Sequence, residues 1–160
     1  HSHKHISEWV LPIDNGVVID HIAKWLDVVT IKERIAKIVR VLWLYGKWGD
    51  WISNGAQTGR FKWMIFRPGI SLSDHEIYQL AALAPGSTYN HIINGQIEQK
   101  LRLSTPSFLR DIAWISCKNQ DCISHLSHNE QVPAEFVRKD NLMFECIYCN
   151  KEHQYNEVWD

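Results

Sequence analysis

The pattern of apolar and polar residues in the first part of the chain predicts alternating strands and helices. Residues 10–22 read as two short extended pieces around an Asp-Asn-Gly turn signal, followed by β-branched residues. In 21–30 the apolar residues recur at helical spacing, which predicts a short amphipathic helix. Positions 34–45 are rich in Ile and Val and predict a long strand. Glycines within 54–59 indicate a hairpin loop before a returning strand at 60–66.

The clearest helix signal follows Ser73, a residue type that caps helix N-termini. Acidic residues occupy the predicted first turn, where the helix dipole favours negative charge, and helical spacing of apolar residues continues to Pro85. Beyond it, 87–93 and 96–103 read as extended segments around the Asn-Gly pair at 94–95, which is a hairpin signal.

The resulting order of strand, helix, strand, strand, helix, strand is the split βαβ pattern of a ferredoxin-like α+β domain. A Pro-containing segment at 104–107 is the natural hinge, and the residues after it carry few apolar positions and short strands. We therefore predict a ferredoxin-like domain over 1–103 and a small β-rich domain over 104–160 that binds zinc through its cysteines.

All four cysteines of the chain lie in this second part, as Cys117, Cys122, Cys146 and Cys149. Two close pairs separated by a β-ribbon's length of chain can converge on one tetrahedral metal ion. All-thiolate ligation favours zinc or an iron–sulfur centre. Since four thiolates leave no open position for water or substrate, the prediction is one structural Zn²⁺ ion per chain. Three histidines nearby, His125, His128 and His153, are expected at the surface or in a supporting role, since the cysteines complete the ligand set.

Composition and charge exclude several classes of function. A net charge of −1 and the acidic residues among the cysteines argue against nucleic-acid binding, and no apolar run reaches the length of a membrane span. Cysteines kept for metal fit a reducing compartment, so a cytoplasmic location is expected. The chain opens on a His-rich stretch at His1, for which a trimmed chain, a removed targeting peptide and a weak metal-binding tail are the explanations. A processed N-terminus would fit an organellar matrix.

Eight tryptophans are unusual for this length, and four of them lie between positions 43 and 63. They either fill a core that is short of Leu and Phe or form a surface for a protein partner, because Trp is enriched at interface hot spots. Both interpretations stay open.

Four stretches resemble the regulatory chain of aspartate carbamoyltransferase, an enzyme of pyrimidine biosynthesis. They read GVVIDHI at 16–22, LAPGSTYN at 83–90, CKNQDCISH at 117–125 and CIYCNKE at 146–152. They keep the order of that family, and the intervals between the four cysteines are those of the family. The resemblance spans about residues 9 to 155 and is weak between 43 and 70.

The resemblance implies a non-catalytic regulatory subunit. Its ferredoxin-like domain would bind nucleoside triphosphates of the ATP or CTP type as allosteric effectors, and its zinc domain would dock on a carbamoyltransferase catalytic chain. Pairs of regulatory chains associate in this family, so self-association is expected as well. The alternative is a repurposed structural subunit of another large complex, with partners bound through the Trp-rich hairpin and no nucleotide sensing.

The resemblance also assigns residues. Asp20 and His21 match the Asp-His pair of the effector site, where a carboxylate suits ribose hydroxyls and an imidazole suits phosphate, and Lys100 matches a phosphate-binding lysine. Each has an ordinary structural alternative, with Asp20 as a helix cap and Lys100 as a solvated lysine. The other matched pocket positions are Asn90 and Ile92, with Val10, Pro12 and Ile13 in the strand beside the base.

The chain also departs from the family pattern. A further lysine near ribose and base falls at Phe66 or Ile65. Lys62 or Arg67 could substitute for it only with a slip in register, and without one the implied site has one cation fewer. Contacts with the catalytic chain map to Asn119, which is kept, and to Asp121 and Asn150, which replace the usual Asn and Glu.

Overall fold

A computed structural model describes residues 14–22, 49–55, 60–69, 71–140 and 143–160, together with the single positions 33, 37 and 40. The chain divides between Ser104 and Thr105 into two compact units. Of the predicted features, Val10, Pro12, Ile13, most of the helix at 21–30 and two of the clustered tryptophans, Trp43 and Trp48, lie outside the described residues.

The first unit is built on a five-stranded antiparallel sheet. Its strands are β1 (Gly16–Ile22), β2 (Gly49–Gly55), β3 (Arg60–Pro68), β4 (Thr88–Ile93) and β5 (Gln96–Arg102), in the spatial order β2-β3-β1-β4-β5. Because β1 and β2 each run antiparallel to β3, they are parallel to each other with β3 inserted between them. This is the split arrangement of a ferredoxin-like sheet, extended by β5, and it confirms the predicted fold class.

Helix α1 (Asp74–Leu83) begins where its sequence predicts. Ser73 and Glu76 form a capping box, in which the Glu76 N–H donates to the Ser73 hydroxyl at 3.2 Å and the Ser73 N–H donates to a Glu76 carboxylate oxygen at 2.8 Å. The Leu72 N–H donates to the buried Tyr89 hydroxyl at 3.4 Å, which ties the start of the helix to β4. No helix in the described part of the chain is long and apolar enough to cross a membrane.

Two predicted elements, the helix at 21–30 and the strand at 34–45, are wrong at the few of their positions that the structure describes. His21 and Ile22 belong to strand β1 and not to a helix. Within the predicted strand at 34–45, the two described positions, Lys37 and Arg40, are helical, as is Glu33 before them. These three charged residues recur at the spacing of one helix face, a pattern that the Ile and Val content obscured.

The actual partner of β3 is β2, whose sequence GDWISNG was not predicted as a strand. Its Gly, Asp, Ser and Asn residues have low strand propensity, so pairing with β3 decides the outcome rather than intrinsic preference. Trp51 and Trp63 lie in this β2–β3 hairpin.

The second unit contains a four-stranded antiparallel sheet of short strands. In spatial and chain order these are β6 (Phe108–Leu109), β7 (Phe136–Arg138), β8 (Met143–Cys146) and β9 (Glu152–Gln154), and a 3-10 turn (Tyr155–Glu157) follows. Much of the connecting chain has no regular structure, so the apolar core is small. Its most buried members are Leu109, Ile115, Phe136, Phe144, Tyr155 and Val158.

Candidate functional site

The four cysteine sulfurs converge in the second unit, although they come from two distant parts of the sequence. All four Sγ atoms lie within 4.8 Å of one another. Two contacts join the pairs, at 3.5 Å between the sulfurs of Cys117 and Cys149 and 3.7 Å between those of Cys122 and Cys146. Cys117, Cys122 and Cys146 are buried and Cys149 is half-buried.

Each pair sits on its own turn, and the backbone of each turn is hydrogen-bonded. In the first turn the Cys122 N–H donates to the Asn119 carbonyl at 3.0 Å, and the Asn119 N–H points at the Cys117 sulfur at 3.5 Å. In the second turn the Asn150 N–H donates to the Cys146 carbonyl at 2.9 Å. Asn150 has φ 63°, a left-handed conformation that Asn tolerates better than most residues.

The four clustered thiols cannot all be ionised without something that balances their charge. Burial raises the pKa of the Cys117 and Cys146 thiols above the ordinary value. Burial also acts to raise the pKa of Cys149, but donation from the Lys151 backbone and from Asn119 outweighs it and lowers that pKa to about 7. Four thiolates this close would repel one another, so the set is held neutral by protons or balanced by a metal ion.

The spacing of the sulfurs fits a single tetrahedral metal ion. A metal–sulfur bond of about 2.3 Å sets neighbouring sulfurs about 3.8 Å apart in a regular tetrahedron. The separations of 3.5 Å and 3.7 Å lie close to this value, and all the others are within 4.8 Å. The residues present therefore suit a metal ion held by four thiolates, with no position left for water.

Two further polar residues support the cluster: His153, which the sequence analysis expects at the surface or in a supporting role, and Ser124, which it did not single out. The fully buried Ser124 hydroxyl lies 3.2 Å from the Cys122 sulfur and 3.9 Å from that of Cys146. His153 is also fully buried, and burial lowers the pKa of its imidazole, which favours the neutral form. Of the other histidines near the cysteines, His125 is half-buried and His128 exposed.

In the first unit, several of the assigned effector-site residues share one face of the sheet. Val18, Asn90 and Lys100 are directly opposite one another on β1, β4 and β5, and opposed residues project to the same side. Asp20 belongs to the next row on that face, opposite Thr88, and Ile92 pairs with Gly16 on the other side of Asn90. The sheet therefore brings together Asp20, Asn90, Ile92 and Lys100.

The polar atoms on this face differ in exposure and in hydrogen bonding. Lys100 is exposed, whereas Asn90 and Ile92 are fully buried. The Asn90 amide donates to the Val18 carbonyl at 3.3 Å, but the buried Asn90 Oδ1 has no hydrogen-bond partner among the described residues.

A β-bulge shapes the Asp-His pair at the end of β1. Ile19 pairs with Ile65 and Ile22 with Trp63, so β1 carries one extra residue between these pairs. His21 lies within this irregular stretch and has a left-handed backbone conformation, with φ 57°. Its Nδ1 lies 2.6 Å from a carboxylate oxygen of the buried Asp20. Bulges redirect side chains and are frequent near functional sites, and no local sequence signal predicts this one.

The register of β3 locates the departure from the family pattern. Ile65 is opposite Ile19, and Phe66 is opposite Val18, in line with Asn90 and Lys100. At either position the chain has an apolar residue in place of the lysine of the family pattern.

The residues assigned to partner contact lie on the two cysteine turns. Asn119 is half-buried and its Oδ1 accepts from the Asp121 N–H at 3.1 Å, while Asp121 and Asn150 are exposed. Ile147 and Tyr148, in the second turn, are exposed by 42% and 39%.

Comparison with known proteins gives matches along nearly the whole chain. The family described as aspartate carbamoyltransferase regulatory chain, allosteric domain, matches residues 9–104, and the metal binding domain of the same chain matches residues 109–159. Each match falls within one of the two structural units.

Individual relatives agree with these matches. Protein PyrBI of Treponema denticola is 39% identical over 96% of this chain but only 29% of its own length, and Protein PyrBI of Thermotoga maritima is 37% identical over 94% and 28%. The chain thus spans less than a third of these proteins. The aspartate carbamoyltransferase regulatory chain of Ignicoccus hospitalis is 30% identical over 93% of this chain and 92% of its own length. The chain belongs to the aspartate carbamoyltransferase regulatory chain family.

Proposed function

We propose that the chain is a non-catalytic regulatory subunit that binds a nucleoside triphosphate in its first unit and Zn²⁺ in its second, and that docks on a carbamoyltransferase catalytic chain. The observation that carries the nucleotide proposal is the row of Val18, Asn90 and Lys100 beside Asp20 on one sheet face. It offers a carboxylate for sugar hydroxyls, an amide for the base and a lysine for phosphate.

The chemistry of this face suits a nucleotide whose base carries an exocyclic amino group. The buried Asn90 Oδ1 is a hydrogen-bond acceptor. The exocyclic amino groups of adenine and of cytosine are hydrogen-bond donors that could bond to it. Lys100 is exposed, so its charge is available to a solvated phosphate chain. Because this site has one lysine fewer than the family pattern, we expect it to bind nucleotide more weakly than a site with that lysine would.

The allosteric mechanism follows from family membership together with this site. An effector changes the activity of an assembly only if it binds one quaternary state more tightly than another, and such coupling is typically about 1–3 kcal/mol. The chain itself needs no catalytic group for this role. We infer that its contribution is the differential affinity of the Asp20, Asn90 and Lys100 face.

Zinc is the metal that the four-thiol cluster fits best. A multi-iron cluster keeps its cysteine sulfurs further apart, because iron and sulfide atoms lie between them, whereas here all four Sγ atoms are within 4.8 Å. Cys117, Cys122, Cys146 and Cys149 would hold the ion and leave no open position, so its role is structural. Elemental analysis of the purified chain tests this assignment, and one equivalent of iron would contradict it.

The partner surface is proposed on the two cysteine turns. Asn119, Asp121 and Asn150 lie there with the exposed side chains of Ile147 and Tyr148, so polar and apolar groups are presented together. The much greater length of the PyrBI relatives is consistent with a catalytic chain accompanying the regulatory segment.

Self-association is proposed along β5, which is an edge strand of the described sheet. All seven of its residues are exposed, including Ile97 and Leu101, and Ile93 beside it is also exposed. An edge strand with unpaired backbone groups and apolar side chains favours pairing with a second copy.

The test of nucleotide binding is calorimetric titration of the zinc-loaded chain with ATP and with CTP. We expect saturable binding in the micromolar to millimolar range, and at least a tenfold loss of affinity in Lys100→Ala. Lys139→Ala is the matched control, because it removes the same charge from an exposed position in the other unit. Absence of heat with either nucleotide, from a folded chain, would favour the repurposed structural subunit instead.

A further inference from the structure

His153 lies beside the four-thiol cluster without being one of its ligands. It belongs to the short strand β9, where it pairs with Phe144, and it has no exposed surface. Its ring meets that of Phe136 edge to face, with centroids 5.0 Å apart. Packing on this side fixes the plane of the imidazole and therefore the directions of its two nitrogens.

The two ring nitrogens bond to the backbone of the two different cysteine turns. The Lys118 N–H, directly after Cys117, donates to Nε2 at 3.0 Å. Because Nε2 accepts this bond, the proton of the neutral ring is on Nδ1, which donates to the Lys151 carbonyl at 3.0 Å. The same carbonyl accepts from the Cys146 N–H at 3.0 Å. A continuous chain of hydrogen bonds thus runs from the residue after Cys117 to the backbone of Cys146.

We propose that His153 is a positioning residue that links the two cysteine turns through this chain and so slows the loss of the metal ion. The inference rests on the proposed metal function of the four thiols and adds a determinant outside them. A tetrahedral site needs all four sulfurs at fixed separation, and the Cys117 turn and the Cys146 turn are far apart in sequence. A bridge between their backbones restrains the motion that opens the site.

Histidine is well suited to this bridge because a rigid ring presents a donor and an acceptor on opposite sides. Phenylalanine keeps the ring packed against Phe136 but leaves the Lys118 N–H without its acceptor and the Lys151 carbonyl with one donor fewer. Glutamine can place an amide oxygen near the position of Nε2, and asparagine can place an amide nitrogen near that of Nδ1. Each of these two variants therefore restores one of the two bonds.

The experiment measures zinc transfer from the loaded, full chain to an excess of a chromophoric chelator. In His153→Phe we expect transfer to be faster by about tenfold to a hundredfold, the range seen when supporting residues of metal sites are removed. His153→Gln and His153→Asn are expected at intermediate rates. His75→Phe replaces an exposed histidine of helix α1, in the first unit, and is expected to match the unmodified chain. Substitution by Co²⁺ adds a spectroscopic readout, since the d–d bands report whether four sulfurs still surround the ion.

The outcomes separate the two levels of the proposal. An unmodified chain that takes up neither zinc nor cobalt contradicts the metal function and this inference with it. If the chain takes up metal, but His153→Phe releases zinc at the unmodified rate and its cobalt bands are unaltered, the proposed role of His153 is overturned. The metal function of the cysteines then still stands. If His153→Phe does not fold, the Gln and Asn variants decide, and release from both at the unmodified rate overturns the inference. Equal acceleration in all three variants also overturns it, because partial restoration of the bonds would then have no effect.

Discussion

Removal of the metal should unfold the second unit and leave the first intact. The strands of the unit from Thr105 to Asp160 are two to four residues long, and its core is small. At roughly 0.05–0.15 kcal/mol per residue, a unit of this size has a stability of about 3–8 kcal/mol. Structural zinc contributes about 10–16 kcal/mol in comparable peptides, which exceeds that total. Without the ion, the balance therefore favours the unfolded unit.

Hydrogen exchange resolved by mass spectrometry can localise this effect. After chelation, the amides of β8 and β9 should exchange at the rate of an unfolded chain, while those of β4 and β5 keep their protection. Chelator saturated with zinc beforehand is the control for the reagent, and added zinc should restore the protection. The two units form separate compact bodies, so a local loss is the expected pattern.

One result would refute this reasoning directly. If β8 and β9 stay protected in a chain shown to be free of metal, the buried side chains around Phe136 and Phe144 are sufficient for folding. The cluster would then be a site added to a stable scaffold, and the role of the metal would have to be sought in partner binding.

Three further predictions concern the first unit. Ser73→Ala should lower its stability by about 1 kcal/mol in a urea titration, because it removes the helix cap, whereas Ser73→Thr should leave the midpoint nearly unchanged; equal midpoints for both variants would contradict this. Asn90→Leu should change stability by less than about 1 kcal/mol, since the bond to Val18 that it breaks is long, but should weaken ATP binding at least tenfold; unaltered affinity would remove Asn90 from the site. Leu101→Glu should reduce self-association in sedimentation experiments without unfolding the chain, because Leu101 is exposed by 36%; an unchanged dimer would place the interface elsewhere.

The elements that the sequence predicts correctly are those whose signals are local. Helix α1 has its capping residue, acidic first turn and terminating proline within a few positions of the helix itself. The β4–β5 hairpin is set by Asn94 and Gly95, which both have positive φ values, 52° and 75°, as a tight two-residue turn requires. In these cases short-range chemistry and the final fold agree.

The errors fall where the strand propensity of the residues does not decide the structure. Strand β2 has residues of low strand propensity, and it forms because β3 supplies a hydrogen-bonding partner along all seven of its positions. Conversely, Lys37 and Arg40 are helical within a stretch whose Ile and Val residues favour a strand. Propensity alone gives the wrong answer in both places. For β2 the competing term is pairing with β3, and for Lys37 and Arg40 it is a helical spacing that the Ile and Val residues obscured.

The difference between local signals and long-range pairing also explains why the cysteine cluster is easier to predict from sequence than the nucleotide face. Each cysteine pair lies on one short turn, so the spacing in the sequence nearly specifies the geometry, and only the meeting of the two turns depends on the fold. The face with Val18, Asn90 and Lys100 exists only through the registers of three strands, one of which is separated from Asn90 by 72 positions. No local pattern marks it, and a resemblance to a family was needed to assign it.

His153 is an intermediate case. A histidine near four cysteines is visible in the sequence, but the two bonds that give it a role depend on backbone groups, which any residue type could supply. Experiments on the bonds of His153, rather than on its conservation or charge, are therefore the ones that can establish what it does.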